Sequence, residues 1–166
     1  MIEELRERTS VTRVEDLCRY AGALQFDKGT GSVGANVFDR HPKDDDSLSV
    51  NRRGIFSNSE ADDDAAIRRV SATRGAPGKT ARFIVINTGS MLDILEEFER
   101  EVFVCEDPLE AEGDKAANPA HALIVGLPFV GEEIGSMTSE LIGDRLRRIT
   151  SNGFPAHPDH ESLQRQ

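Results

Sequence analysis

Apolar positions along the chain recur at two spacings. Val14, Leu17, Cys18, Ala21 and Leu24 follow one another at helical intervals and predict a helix over 12–24. Thr12 and Glu15 have the T-x-x-E spacing of a capping box at its start. Ser57 and Glu60 form a second such box, opening a helix that carries Ala61, Ala65 and Val70. Asp62, Asp63 and Asp64 fall in its first turns, where the helix dipole favours negative charge. That placement reads the acidic triplet as structural rather than as a metal site. Ser90 is expected to cap a helix through Glu99 with Met91, Leu92, Leu95 and Phe98 on one side. Thr138 opens a last helix with Leu141, Ile142, Leu146 and Ile149, and Arg145, Arg147 and Arg148 suit its C-terminal end.

Other segments read as strands. Leu48 to Asn51 alternates apolar and polar, as a half-buried strand does. Ala81 to Ile86, Val102 to Cys105 and Ala122 to Val125 are apolar on both faces, the pattern of interior strands. Val33 to Phe38 is a further short strand. Residues 1–11 form an N-terminal arm and 12–150 one globular domain. Residues 151–166, with Gly153, Pro155 and Pro158, read as a disordered tail. The fold class is α+β, a single mixed β-sheet of about five strands with helices packed on it. Two β-α-β units predict some parallel pairing.

Charge narrows the partners. The 166 residues carry a net charge of -10, with no Trp and one Tyr. Such a surface repels phosphate backbones, so no direct nucleic-acid contact is expected. Cys18 and Cys105 sit among apolar residues and read as buried, reduced thiols, which suits a reducing compartment. The start of the chain lacks the basic and apolar regions of a signal peptide. The best apolar stretch, Ala122 to Val130, is broken by Pro128 and falls far below the ~18 residues of a spanning helix. A cytoplasmic protein with no membrane partner is therefore expected.

Several segments approach known motifs. Gly29, Gly31 and Gly34 fit G-x-G-x-x-G, but a predicted helix precedes them and extended chain follows, the reverse of a dinucleotide site. Gly78-Lys79-Thr80 matches the end of a P-loop, yet Thr73 stands where the first glycine belongs and a strand follows. Asp44, Asp45 and Asp46 beside His41 lack the spacing of a calcium loop. His157 and His160 in the tail fall short of the four ligands of a structural zinc site. No cofactor and no metal are expected.

His121 is the strongest chemical candidate. It stands at the mouth of a strand apolar on both faces, desolvated on one side and reachable on the other, where an acid/base group can work. Asp107 lies beyond the end of one neighbouring strand, and Arg52 and Arg53 beyond the end of another. If those ends converge, a histidine, a carboxylate and a guanidinium line one pocket for a phosphorylated or carboxylated small molecule. Ser49 could complete a triad with His121 and Asp107, although no nucleophile elbow surrounds it.

The segments Asp45-Asp46-Ser47-Leu48-Ser49-Val50-Asn51-Arg52 and Asn118-Pro119-Ala120-His121-Ala122-Leu123-Ile124-Val125-Gly126 resemble paired motifs of small uncharacterised bacterial proteins. The resemblance covers these two stretches and their spacing. It implies a bacterial cytoplasmic origin and groups Ser49, Arg52 and His121 as one constellation, with no activity attached. Two functions follow. The first is a binding or regulatory module acting through a protein partner, in a stress, defence or toxin–antitoxin setting. The second is a small hydrolase or transferase acting on a nucleotide or phosphorylated metabolite. There His121 is the general acid/base and Arg52 or Arg53 the anion clamp.

Overall fold

A computed structural model of the chain describes residues 2–27, 30–40, 47–128 and 136–158. Its elements run α1 (Ile2–Arg6), β1 (Asp16–Ala21), β2 (Ser47–Arg52), α2 (Glu60–Ala72), β3 (Arg82–Asn87), α3 (Thr88–Glu97), β4 (Phe103–Glu106), β5 (His121–Val125), α4 (Ser136–Arg148) and β6 (Ser151–Pro155). Short 3₁₀ turns at Ala23–Gln25 and Ala35–Phe38 lie between β1 and β2. The strands form one six-stranded sheet in the order β4-β5-β2-β1-β3-β6. The α+β class and the single sheet are those read from the sequence.

The pairing is where the sheet departs from expectation. Every strand pair is antiparallel, so the described sheet is not mixed. The β-α-β units are nonetheless real. From the pairings, β3 and β4 run the same way, as do β5 and β6, but three strands lie between the members of each couple. The sequence shows that a helix returns the chain to the same direction. It does not show how far along the sheet the chain has travelled.

The crossovers decide which face each helix covers. Leu17, Leu48, Val50, Ile84, Ala122 and Ile124 project to one face, where they pack with Met91 and Leu95 of α3 and Ile142 and Leu146 of α4. Val37 and Phe38 of the second 3₁₀ turn join the same cluster. On the other face, Ile67 of α2 packs with Cys18, Phe83, Val85 and Phe154. Leu5 of α1 packs there with Cys105, Val125, Phe103 and Leu123. The first face is continuously covered. The second is covered at its two ends, by α2 over β1, β3 and β6 and by α1 over β4 and β5.

The expected helix over 12–24 is a turn followed by the central strand β1. The T-x-x-E hydrogen bonds do form, with Thr12 N and Oγ1 donating to Glu15 Oε1 at 3.2 and 2.9 Å, but no helix follows. Leu17 and Ala21 are four residues apart, a spacing shared by a helical face and by one face of a strand. Leu17 and Cys18 are both fully buried because β1 is covered on both sides. Val14 and Leu24, the residues that only a helix would bury, are 86% and 90% exposed.

Val33 to Phe38 is likewise a bridge at Val33 followed by a 3₁₀ turn rather than a strand. The N-cap of α2 is Ser59 rather than Ser57, and that of α3 is Asn87, whose Oδ1 accepts from Ser90 N at 3.1 Å. The beginning of the expected tail is the edge strand β6, paired to β3. Arg82 and Arg68 donate to the carbonyls of Asn152, Gly153 and Pro155 along it. At the opposite edge, Val11 N donates to Val104 O and Glu106 N to Thr9 O, so the N-terminal arm lies along β4. Gly29, His41, the run Asp44–Asp46 and His160 lie outside the described residues.

Candidate functional site

The two segments carrying the sequence resemblance are neighbouring antiparallel strands. β2 pairs with β5 through Asn51↔His121, Val50↔Ala122, Ser49↔Leu123 and Leu48↔Ile124. Residues opposite each other in an antiparallel pair share a face. Leu48, Val50, Ala122 and Ile124 therefore point into the covered face, and Ser49, Asn51 and His121 point to the partly covered one. There, between the ground held by α1 and that held by α2, the sheet presents polar side chains.

A cavity of about 420 Å³ occupies this gap. β1 and β2 pair only at Leu17↔Arg52 and Cys18↔Asn51. Beyond that point Arg19 Nη1 donates to the carbonyl of Ser49 at 2.8 Å. The floor is formed by Tyr20, Ser49, Asn51, Phe83 and His121. The walls come from the C-terminal end of α2, the 74–77 loop, Leu109 and Asn118.

The 107–120 loop is fixed over this cavity. Leu109 and Asn118 exchange backbone hydrogen bonds of 3.0 and 2.8 Å, closing the loop at its base. Arg74 Nη2 donates to the carbonyls of Glu110 and Ala116 at 2.7 and 2.8 Å. Thr73 Oγ1 accepts from Ala116 N at 2.9 Å.

His121 is held rigidly. Its side chain is 12% exposed and its Nδ1 lies 3.0 Å from Asp107 Oδ2 and 2.8 Å from Asp107 O. Both partners are acceptors, so Nδ1 carries the proton. Among the described residues Nε2 has no protein partner, and it is the nitrogen left for a ligand or for proton transfer. Arg8 holds Asp107 from the other side in an ion pair.

The structure separates the other expected site residues. Ser49 lines the same cavity as His121, but its hydroxyl makes no hydrogen bond to the ring, so the Ser49–His121–Asp107 triad is not closed. Arg52 is one residue out of phase with Asn51 and points to the covered face. There it is bonded to Glu15 Oε2 at 2.8 Å and Glu106 Oε1 at 2.6 Å. Arg53 is engaged by Asp64 at 2.7 Å and Glu60 at 2.9 Å and lies over the Phe154 ring. The hydrogen bonds it donates to the Asp64 carboxylate raise its already high pKa, burial opposing. Neither arginine reaches the cavity, so the convergence of Arg52 with His121 in one pocket does not occur.

The basic side chains of the cavity are Arg74 and His121, whereas Arg19, opposite Ile84 and bonded through Nε to the Val37 carbonyl, borders it with its side chain on the covered face; no carboxylate lines the cavity among the described residues. In a chain of net charge -10 this is a local reversal of sign. Arg74 came from a Gly/Pro-rich loop with no motif to mark it. Asn118 stood three residues before the resemblance's histidine and Asn51 two after Ser49, so the signal for both was proximity alone.

No family model, no curated protein and no solved structure matches this chain.

Other chemistries find little support. Among the described residues, no group of three or more His, Cys, Asp or Glu is placed to hold a metal ion. Cys18 and Cys105 are both buried and unpaired. Burial pushes both thiols above their usual range, which makes them poor nucleophiles. Gly78-Lys79-Thr80 is a turn into β3, its Gly78 N donating to the Tyr20 hydroxyl at 3.1 Å. No described helix is long and apolar enough to cross a membrane.

Proposed function

We propose that the chain is a ligand-binding module whose ligand is a small anion with an apolar body, held in the cavity over β2 and β5. The observation that carries this reading is the cation-lined, carboxylate-free cavity in an acidic chain. Arg74 meets backbone carbonyls, which accept its hydrogen bonds but leave its charge uncompensated. The remaining lining is largely small or apolar, with Ala72, Ala76, Pro77, Phe83, Leu109 and Ala156. A pocket with apolar walls and a few fixed polar groups is the usual form of a small-molecule site. The binding-module expectation is kept, with a small anion rather than a protein as the ligand that the geometry favours.

A second reading is a small hydrolase or transferase with His121 as general acid/base. The Asp107–His121 pair favours it, because a carboxylate on Nδ1 fixes the tautomer that leaves Nε2 ready to accept a proton.

A thermal-shift series tests the first reading. Wild type and His121→Gln are scanned with inorganic phosphate, phosphorylated and carboxylated metabolites, and cationic analogues of matched size. A ligand at 100 times its dissociation constant adds about 2.7 kcal/mol. For a chain of this length that is a rise of roughly 5–11 °C. Anions are expected to stabilise wild type, cations to leave it unchanged, and His121→Gln to lose part of the shift. No shift with any anion overturns the proposal. Turnover of a stabilising anion by wild type but not by His121→Gln selects the second reading.

A further inference from the structure

One edge of the His121 imidazole is committed and the other is open. Nδ1 donates to the carbonyl and the carboxylate of Asp107 at 2.8 and 3.0 Å. With the proton fixed there, the neutral ring presents a lone pair and no N–H at Nε2. Nε2 has no partner among the described residues, and it is not sealed away from solvent. His121 lines the cavity over β2 and β5, so the cavity is offered an acceptor. The neighbouring carboxamides of Asn51 and Asn118 pair with each other, Asn118 Nδ2 donating to Asn51 Oδ1 at 2.8 Å.

Arg74 brings a fixed charge to the same cavity. Its Nε and Nη2 donate to the carbonyls of Ala116 and Glu110, and Nη1 has no partner among the described residues. A guest that satisfies both groups carries an anion for Arg74 and a hydrogen-bond donor for Nε2. That donor has to be uncharged. An ammonium group would add a second positive charge to the guanidinium, with no carboxylate among the described lining residues to offset it. A hydroxyl meets the condition and can also accept a bond in return. Ser49 stands on the cross-strand diagonal from His121, exposed on the same face, and its hydroxyl is placed to supply that return bond.

We infer that His121 Nε2 accepts a hydrogen bond from a hydroxyl of the ligand, so that the anion of this cavity is a hydroxycarboxylate or a hydroxyalkyl phosphate rather than an amino acid or an unsubstituted acid. This rests on the anion-binding reading above and adds the group that sets its selectivity.

Isothermal titration of the full chain tests it, at about pH 8, above the ordinary histidine value of about 6.5. The probes are phenyllactate beside phenylpropanoate, hydroxypropyl phosphate beside propyl phosphate, the methyl ethers of the two hydroxylated compounds, and phenylalanine. At least one hydroxylated probe is expected to bind about fivefold tighter than its deoxy partner, the yield of one ordinary hydrogen bond. Which pair shows the preference tells a carboxylate from a phosphate. The methyl ether, which has no proton to donate, is expected to fall to the deoxy level or below. His121→Phe is expected to abolish the difference between the members of the pair. The ether arm uses wild type alone, so it decides the matter even if the variant fails to fold. Equal binding within both pairs, a hydroxyl preference that survives in His121→Phe, or phenylalanine binding tighter than phenyllactate overturns the hydroxyl inference and leaves the anion site standing. Binding of none of these probes overturns both.

Discussion

Removing the Asp63 carboxylate is the sharpest test of how α2 is anchored. Asp63 is 1% exposed and belongs to the acidic run that the sequence places in the first turns of this helix. Its oxygens accept from three backbone N–H groups of the turn leaving β2, Gly54 at 2.7 Å, Phe56 at 2.8 Å and Ser57 at 3.2 Å. A hydrogen bond to a charged group contributes about 1.5–3 kcal/mol. The three are not independent, and exposed Gly54 can recover a bond to water. Asp63→Ala should therefore cost about 2–4 kcal/mol, less than the sum of three such bonds. Asp62→Ala is the control, because Asp62 is exposed and its role is limited to the helix dipole, worth about 0.3–1 kcal/mol. Urea unfolding of both variants, with the slope held common, measures the difference through the midpoint. An Asp63→Ala loss no larger than that of Asp62→Ala would refute the reasoning and leave the acidic run a dipole effect only.

Three further outcomes are expected. Glu99 has φ 55° at the end of α3, where Arg100 N donates to Leu95 O and Glu99 N to Glu96 O, so Glu99→Gly should stabilise by about 0.5–1 kcal/mol in the same assay. Burial pushes the Glu15 carboxyl up, but hydrogen bonds from Arg52 and Thr12 outweigh it and hold the group below the usual range. Its contribution is then complete above the unfolded value of about 4.3 and is lost as pH falls through the lower folded value. The stability gap between wild type and Glu15→Gln should accordingly be constant at neutral pH and close under acid, as followed by urea midpoints across a pH series. Cys18 and Cys105 should resist a thiol reagent in the native state and react at the rate of unfolding, and fast modification of either would contradict their burial.

The sequence was informative where one period was unambiguous. Runs apolar on both faces located β3, β4 and β5 to within a residue or so, and α2, α3 and α4 were visible as helices. Their details were less legible: Ser59 and Asn87 rather than Ser57 and Ser90 are the N-caps of α2 and α3, and Ala66 and Ile67 rather than Ala61, Ala65 and Val70 form the buried face of α2. β1 was misread because Leu17 and Ala21 fit both periods, and only the flanking strands decide between them. β6 was missed because Ser151, Asn152 and Gly153 are exposed and little apolar pattern marks an edge strand. At the site, sequence reasoning found His121, its partner Asp107, and the strand that carries Ser49. It misplaced Arg52 because one residue of strand register sends a side chain through the sheet to the other face. It did not find Arg74 or the Asn51–Asn118 pair, since those contacts join loops and strands far apart in the chain.

The half-covered sheet divides its central strands into two sets of positions under different demands. Along β2 and β5, Leu48, Val50, Ala122 and Ile124 answer to the volume of a closed core, where a single methylene is felt. Ser49 and His121, interleaved with them, answer to whatever enters the cavity. A library randomised at the second set leaves the first untouched. Selectivity for a new guest can therefore be searched for on this scaffold without first repairing its interior.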